Sequence, residues 1–220
     1  MTEKYFQELN LPEIPVLNVE DWLMDKLKDV GYSLHTEPEK ILNDQIINTF
    51  RDIGVTPGYI TIFTNSNDGV LDNRFTHSDV TSVQDPRTLT GPPYQVKWKT
   101  CHFGINFEIY DNENIFNWYK NKDESKFLMP PIIIKTLGQA WLSGIHYGEK
   151  RGVGGIPEQL EHVATTSIRG KPTLVRTDVP HNTLYKVPPG ISHRVGISIR
   201  FYENWTWEEA LEKFKPLYIK

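Results

Sequence analysis

From Arg194 to Phe201 apolar and polar residues alternate without a break. Val195, Ile197, Ile199 and Phe201 fall on one face; Arg194, Gly196, Ser198 and Arg200 fall on the other, which is the period of a β-strand. The wider stretch from Pro172 to Tyr202 reads as a strand, a turn carrying His181, a loop through Pro188, Pro189 and Gly190, and this second strand. Tyr59 to Thr64 alternates in the same way, residues 95–109 resume strand character, and Trp118 and Tyr119 belong to a further strand. The intervals Asn65–Asp72, 80–94 and 111–114 carry turn chemistry, with Asp85-Pro86 and Gly91-Pro92-Pro93 as the clearest breaks.

Helical spacing is confined to the two ends. Residues 1–17 read as an extended arm. Asn18 caps a predicted helix whose Val19, Trp22, Leu23 and Leu27 form one stripe that stops near Gly31. A second helix is predicted from Thr36, with Pro38 in its first turn, Glu39 completing a capping box, Ile41, Leu42, Ile46, Ile47 and Phe50 on its buried face, and Gly54 closing it. The last helix runs from Thr206 to Lys215, with Glu209 in a capping box and Trp207, Leu211 and Phe214 on the apolar side. Residues 122–170 join an apolar run (132–142) to a series of glycines and give no clear period.

Helices first, then many short strands, then one closing helix, with no βαβ alternation, predict an α+β, mainly β chain. The expected architecture is a jelly-roll-like, cupin-like core with the N-terminal helices packed on one face. A single domain is expected: arm and helices over 1–57, the β core over 58–202 with an insert at 122–170, and the C-terminal helix over 203–220.

Composition narrows the function classes. The net charge of -4 argues against a general binder of nucleic-acid backbone. The single cysteine, Cys101, excludes an internal disulfide and fits a reducing cytoplasm. It lies in no CxxC or Cys/His pattern and reads as a small buried hydrophobe. The first fifteen residues lack the apolar segment of a signal peptide, and no apolar run approaches the ~18 residues of a membrane span.

Candidate chemistry centres on His77-Ser78-Asp79. At a strand end, positions i and i+2 point the same way and present one imidazole and one carboxylate to a single ion. A third donor must come from a distant strand, and His181 is the candidate. His193 is its alternative, by way of a β-bulge that breaks parity. Two histidines and a carboxylate leave coordination positions open and suit Fe(II); zinc is usable by the same donors. On the polar face of the last strand, an arginine beside a serine can hold a small carboxylate, with Arg194 the first choice and Arg200 the second. Asn106, mid-strand among apolar residues, and Tyr59 are further candidates for contact with such a molecule. His102 and His146 have no carboxylate at ligand spacing and read as structural.

HSD at 77–79, GINFEIY at 104–110, NWY at 117–119 and the 173–201 segment, in that order, resemble the iron- and 2-oxoglutarate-dependent oxygenases of the double-stranded β-helix fold. The likeness is to small oxygenase-like proteins of marine bacteria and phages, distantly akin to aspartyl/asparaginyl β-hydroxylases, and spans about residues 58–202. It implies that His77, Asp79 and His181 bind Fe(II) and that Arg194, helped by Ser198, pairs with the distal carboxylate of 2-oxoglutarate. It further implies hydroxylation of a small-molecule or peptide substrate by O2, with release of succinate and CO2. Two rivals remain at this stage: a cupin-like metal enzyme that does not use 2-oxoglutarate, and a β-sandwich binding module without catalysis. Substrate identity and oligomeric state are not encoded in any motif.

Overall fold

The computed structural model describes residues 4–12, 33–66, 71–82, 98–109, 113–123, 128–131, 133–136, 139–142, 144–147, 158–186 and 193–219. Its strands, in chain order, are β1 (Phe6–Glu8), β2 (Ser33–Thr36), β3 (Pro57–Ser66), β4 (Leu71–Ser78), β5 (Val80–Ser82), β6 (Trp98–Thr100), β7 (Phe103–Glu108), β8 (Glu113–Asn121), β9 (Leu128–Met129), β10 (Ile133–Thr136), β11 (Gln139–Leu142), β12 (Ile145–Tyr147), β13 (Leu160–Ile168), β14 (Thr173–Arg176), β15 (His181–Lys186) and β16 (His193–Phe201). Among the described residues two α-helices complete it, α1 (Asp44–Asp52) and α2 (Trp207–Phe214). The predicted mainly β composition with few helices is what the structure shows.

Two six-stranded antiparallel sheets dominate. The first has the order β1-β14-β7-β16-β3-β2 and the second β13-β8-β15-β4-β12-β9; β10-β11 and β5-β6 form two small ribbons. The chain passes from one large sheet to the other between β3 and β4, between β7 and β8, and at each step from β13 to β16.

The alternation read from β16 is realised. Val195, Ile197, Ile199 and Phe201 join Ile60, Ile62, Phe103, Ile105 and Phe107 in one apolar cluster on the outer face of the first sheet. Ile46 and Phe50 of α1 and Trp207, Ala210 and Phe214 of α2 cover that face. Phe214 meets Phe201, Phe103 and Phe50 edge-on, with ring centroids 5.5, 6.0 and 6.2 Å apart. A buried side chain of this size stabilises the fold by about 1.5–3 kcal/mol through transfer from water. The opposite face of β16 is equally buried but polar, with Ser198 at 0% and Arg200 at 9% exposure. It looks toward the second sheet, which it meets where Trp118 and Phe116 of β8 pack with Val175 of β14.

The C-terminal helix follows the sequence reading: Thr206 caps α2 and Glu209 completes the capping box. The helix predicted from Asn18 lies outside the described residues. The second predicted helix starts later than its apparent cap. Ser33–Thr36 instead pairs with β3, Pro38–Lys40 makes one 3-10 turn, and Asn43 accepts the hydrogen bond from Ile46 N that opens α1. Sheet pairing won over the Thr36–Glu39 capping pattern, while Ile41, Leu42, Ile46 and Phe50 are buried as read and Ile47 is only partly buried. Gly54, at φ 67°, ends the helix where only glycine is unstrained. Among the described residues no helix is long and apolar enough to cross a membrane.

Candidate metal centre

His77 lies at the end of β4, and Asp79 follows in the gap before β5. His181 opens β15, directly opposite His77 in the antiparallel ladder. Facing residues of adjacent strands put side chains on the same side of a sheet, so the two imidazoles meet, with ring centroids 4.5 Å apart. Asp79 Oδ1 lies 3.5 Å from His77 Nε2 and 3.8 Å from His181 Nε2. One ligand atom from each of the three lies within 4.8 Å of the others. Donors around an ion bonded at about 2.1 Å sit about 3 Å apart, so a small contraction closes the set on one ion.

The surroundings fix each donor. His181 Nδ1–H donates to Val179 O at 2.9 Å, which sets the tautomer and turns Nε2 toward Asp79. Phe116 lies against the same imidazole, with centroids 5.0 Å apart. Asp79 is held from both sides through its backbone: its N–H donates to Thr177 O at 2.8 Å, and its carbonyl accepts from Cys101 N at 3.0 Å. Its second carboxylate oxygen, Oδ2, accepts from Arg200 Nη1 at 2.7 Å. The carboxylate is therefore divided, one oxygen toward the histidines and one toward the guanidinium. Gly144 packs so closely behind β4 that a Cβ there would stand 2.5 Å from Ser78 O and 3.0 Å from His77 Cδ2.

Electrostatics match this arrangement. Burial alone would raise the Asp79 carboxyl, but the Arg200 charge, the hydrogen bond from His77 and the charges of His181 and His77 outweigh it and hold the group well below the ordinary carboxylate range. Burial, aided by the His77 charge, pushes His181 down to about 4 against the pull of Asp79, so at neutral pH it is an uncharged imidazole able to bind metal. Burial pushes the Cys101 thiol up, against the Arg200 charge 3.7 Å from its sulfur, as an inert structural cysteine requires.

The remaining sequence candidates fall at different depths. Ser198 Oγ donates to Asn106 Oδ1 at 2.5 Å, deep between the sheets. That bond uses the serine's only proton and leaves the Asn106 amide NH2 as the donor of the pair. Tyr59 is buried and stands opposite Arg200 in the β3–β16 ladder. Arg194 stands opposite Asn65, six residues before Arg200, which is about 20 Å along the strand; only its backbone is described. His193, opposite Ser66, is a residue farther still from the donors. Among the described residues, the guanidinium that touches this group is that of Arg200, on Asp79, a different contact from the cosubstrate carboxylate for which the sequence offered it as the alternative to Arg194.

Two features escaped the sequence. His146 of β12 stands opposite His77, with rings stacked at 6.0 Å, so β12, β4 and β15 carry a row of three histidines. The pairing of β12 with β4 is a tertiary fact that no local pattern announces. Glu108 is buried opposite Gly196 on the same interior as Asn106. A scan against protein-family models finds none that matches, and a search of curated proteins finds no match.

Proposed function

We propose that this protein is an Fe(II)- and 2-oxoglutarate-dependent oxygenase on a double-stranded β-helix. The observation that carries the reading is the meeting of His77, Asp79 and His181 with Arg200 on the far oxygen of the aspartate. The strand order supports the fold. Counting β3, β4, β7, β8, β13, β14, β15 and β16 as eight strands, the first neighbours the eighth, the second the seventh, the third the sixth and eighth, and the fourth the fifth and seventh. That order supports a jelly-roll connectivity.

The donor chemistry fits iron. His77, His181 and one Asp79 oxygen would hold the metal, while Arg200 engages the other carboxylate oxygen. The guanidinium also offsets the Asp79 charge, so a loaded site carries the full positive charge of its metal and favours an anionic chelator. Arg194 and Arg200 share parity on β16, and Arg194 stays the proposed partner of the distal carboxylate of 2-oxoglutarate. Asn106 lies between these two levels and contributes an amide donor. When bound, iron and 2-oxoglutarate together supply the power to oxidise an unactivated C–H bond with O2, releasing succinate and CO2. The chain's part is to hold the metal with His77, Asp79 and His181, to fix the donors through Val179, Thr177, Cys101 and Arg200, and to shield the site with Phe116 and Trp118.

The direct test is turnover. Iron-loaded protein converts 2-oxoglutarate to succinate, detected by mass spectrometry, and His77→Ala does not. Metal binding without any consumption or binding of 2-oxoglutarate would move the assignment to a metal enzyme of another class.

A further inference from the structure

A second polar cluster adjoins the donor set without belonging to it. Asp178 accepts from Arg176 Nε through Oδ1 at 2.7 Å and from His102 Nδ1 through Oδ2 at 3.0 Å. Its place is fixed by its neighbours: Thr177 O accepts the Asp79 amide, and Val179 O accepts His181 Nδ1–H. His102 is placed in the same way, since it follows Cys101, whose N–H bonds Asp79 O and whose sulfur meets Arg200. His102 O in turn accepts from Thr177 N at 3.0 Å. Both members of the pair are therefore one residue away from groups bonded to metal donors.

The cluster is graded in exposure. The Arg176 and Asp178 side chains are each 14% exposed, and the His102 imidazole is 27% exposed. Both carboxylate oxygens are engaged, one by Arg176 and one by His102. The hydrogen bond to Asp178 places a proton on Nδ1, and the neutral tautomer then carries its acceptor lone pair on Nε2 of this partly exposed ring. A buried ion pair needs only Arg176 and Asp178. Adding an oriented imidazole at the open end builds the constellation in which a carboxylate aims a base.

We propose that His102 Nε2 is a substrate-binding acceptor at the rim of the metal site, oriented by Asp178, and that the substrate is a polar molecule presenting an N–H or O–H donor to it. The location of this acceptor beside an oxidising centre rests on the function proposed above; its existence does not, and both tests use metal-free protein.

The first test is carbethoxylation with diethyl pyrocarbonate, followed residue by residue by mass spectrometry. His102 reacts faster than the exposed His162, and Asp178→Asn slows His102 roughly tenfold while His162 is unchanged. Circular dichroism checks that the variant is folded; where it is not, Asp178→Glu replaces it and the wild-type comparison of His102 with His162 still stands. The second test is saturation-transfer NMR with a fragment panel divided into N–H or O–H donors and compounds lacking such donors. Donor fragments bind the wild type, and His102→Gln loses them selectively. Reaction of His102 no faster than His162, an Asp178→Asn rate equal to wild type, or fragment binding indifferent to donors or to His102→Gln would each overturn the proposal. Failure of iron or 2-oxoglutarate to bind would leave both readouts standing.

Discussion

The two faces of β16 are buried alike and built for opposite ends. Ile199 and Ser198, neighbours in sequence, are both 0% exposed, yet one lies among aromatic rings and the other bonds an amide. The outer face returns its burial as hydrophobic free energy, because Val195, Ile197, Ile199 and Phe201 are apolar and share one cluster with residues of α1 and α2. The inner face must satisfy each polar group individually: Arg200 with Asp79, Ser198 with Asn106. Burial alone therefore does not mark a site. What marks one is a buried polar face whose partners converge on a group of open donors.

Breaking that comparison should separate stability from metal binding. Asp79→Ala has the largest expected effect, since it removes a donor and strands Arg200 without its carboxylate. Metal affinity falls more than a hundredfold in a titration, and unfolding free energy drops by roughly 3–5 kcal/mol in urea. Phe214→Ala, on the outer side, costs about 3–5 kcal/mol in the same urea experiment. Its folded fraction still binds metal with unchanged affinity; a parallel loss would show that the two faces are not independent.

Acid sharpens the contrast. His181 has its proton affinity depressed to about 4 on folding, below the ordinary value near 6.5, so the unfolded chain takes up the proton first. Metal-free protein is thus fully supported by this group above pH 6.5 and loses roughly 3 kcal/mol as pH falls from 6.5 to 4. Urea unfolding across that range measures the slope, and His181→Phe should flatten it. The smallest effect belongs to Ser198→Ala, which leaves Asn106 Oδ1 without its donor and costs about 1–2 kcal/mol with metal affinity intact.

How much of this was legible in the sequence follows from the kind of signal each part carries. β16 and α2 could be read because their apolar period is strict and, for α2, the capping box is complete. β13 could not. It is an edge strand whose interior residues, among them Glu161, His162, Val163, Thr165 and Ser167, are exposed, so burial imposes no alternation on it. That His77, Asp79 and His181 come together could be read because an i, i+2 pair at a strand end and one further histidine is a local pattern plus a single guess. The contact of Arg200 with Asp79 could not, because Arg194 and Arg200 have the same parity and only strand register tells which one stands at the level of Asp79. The histidine row through His146 and the Asp178–His102 pair both depend on which strands are neighbours, and spacing along the chain does not contain that information.

The central claim is that these residues hold iron in a form that 2-oxoglutarate can chelate. The most direct measurement is anaerobic titration of the Fe(II)-loaded protein with 2-oxoglutarate, followed by visible absorption. The account predicts the weak charge-transfer band of the chelate, saturating at one equivalent and absent in Asp79→Ala. Iron bound at His77, Asp79 and His181 with no such band on adding 2-oxoglutarate would contradict it.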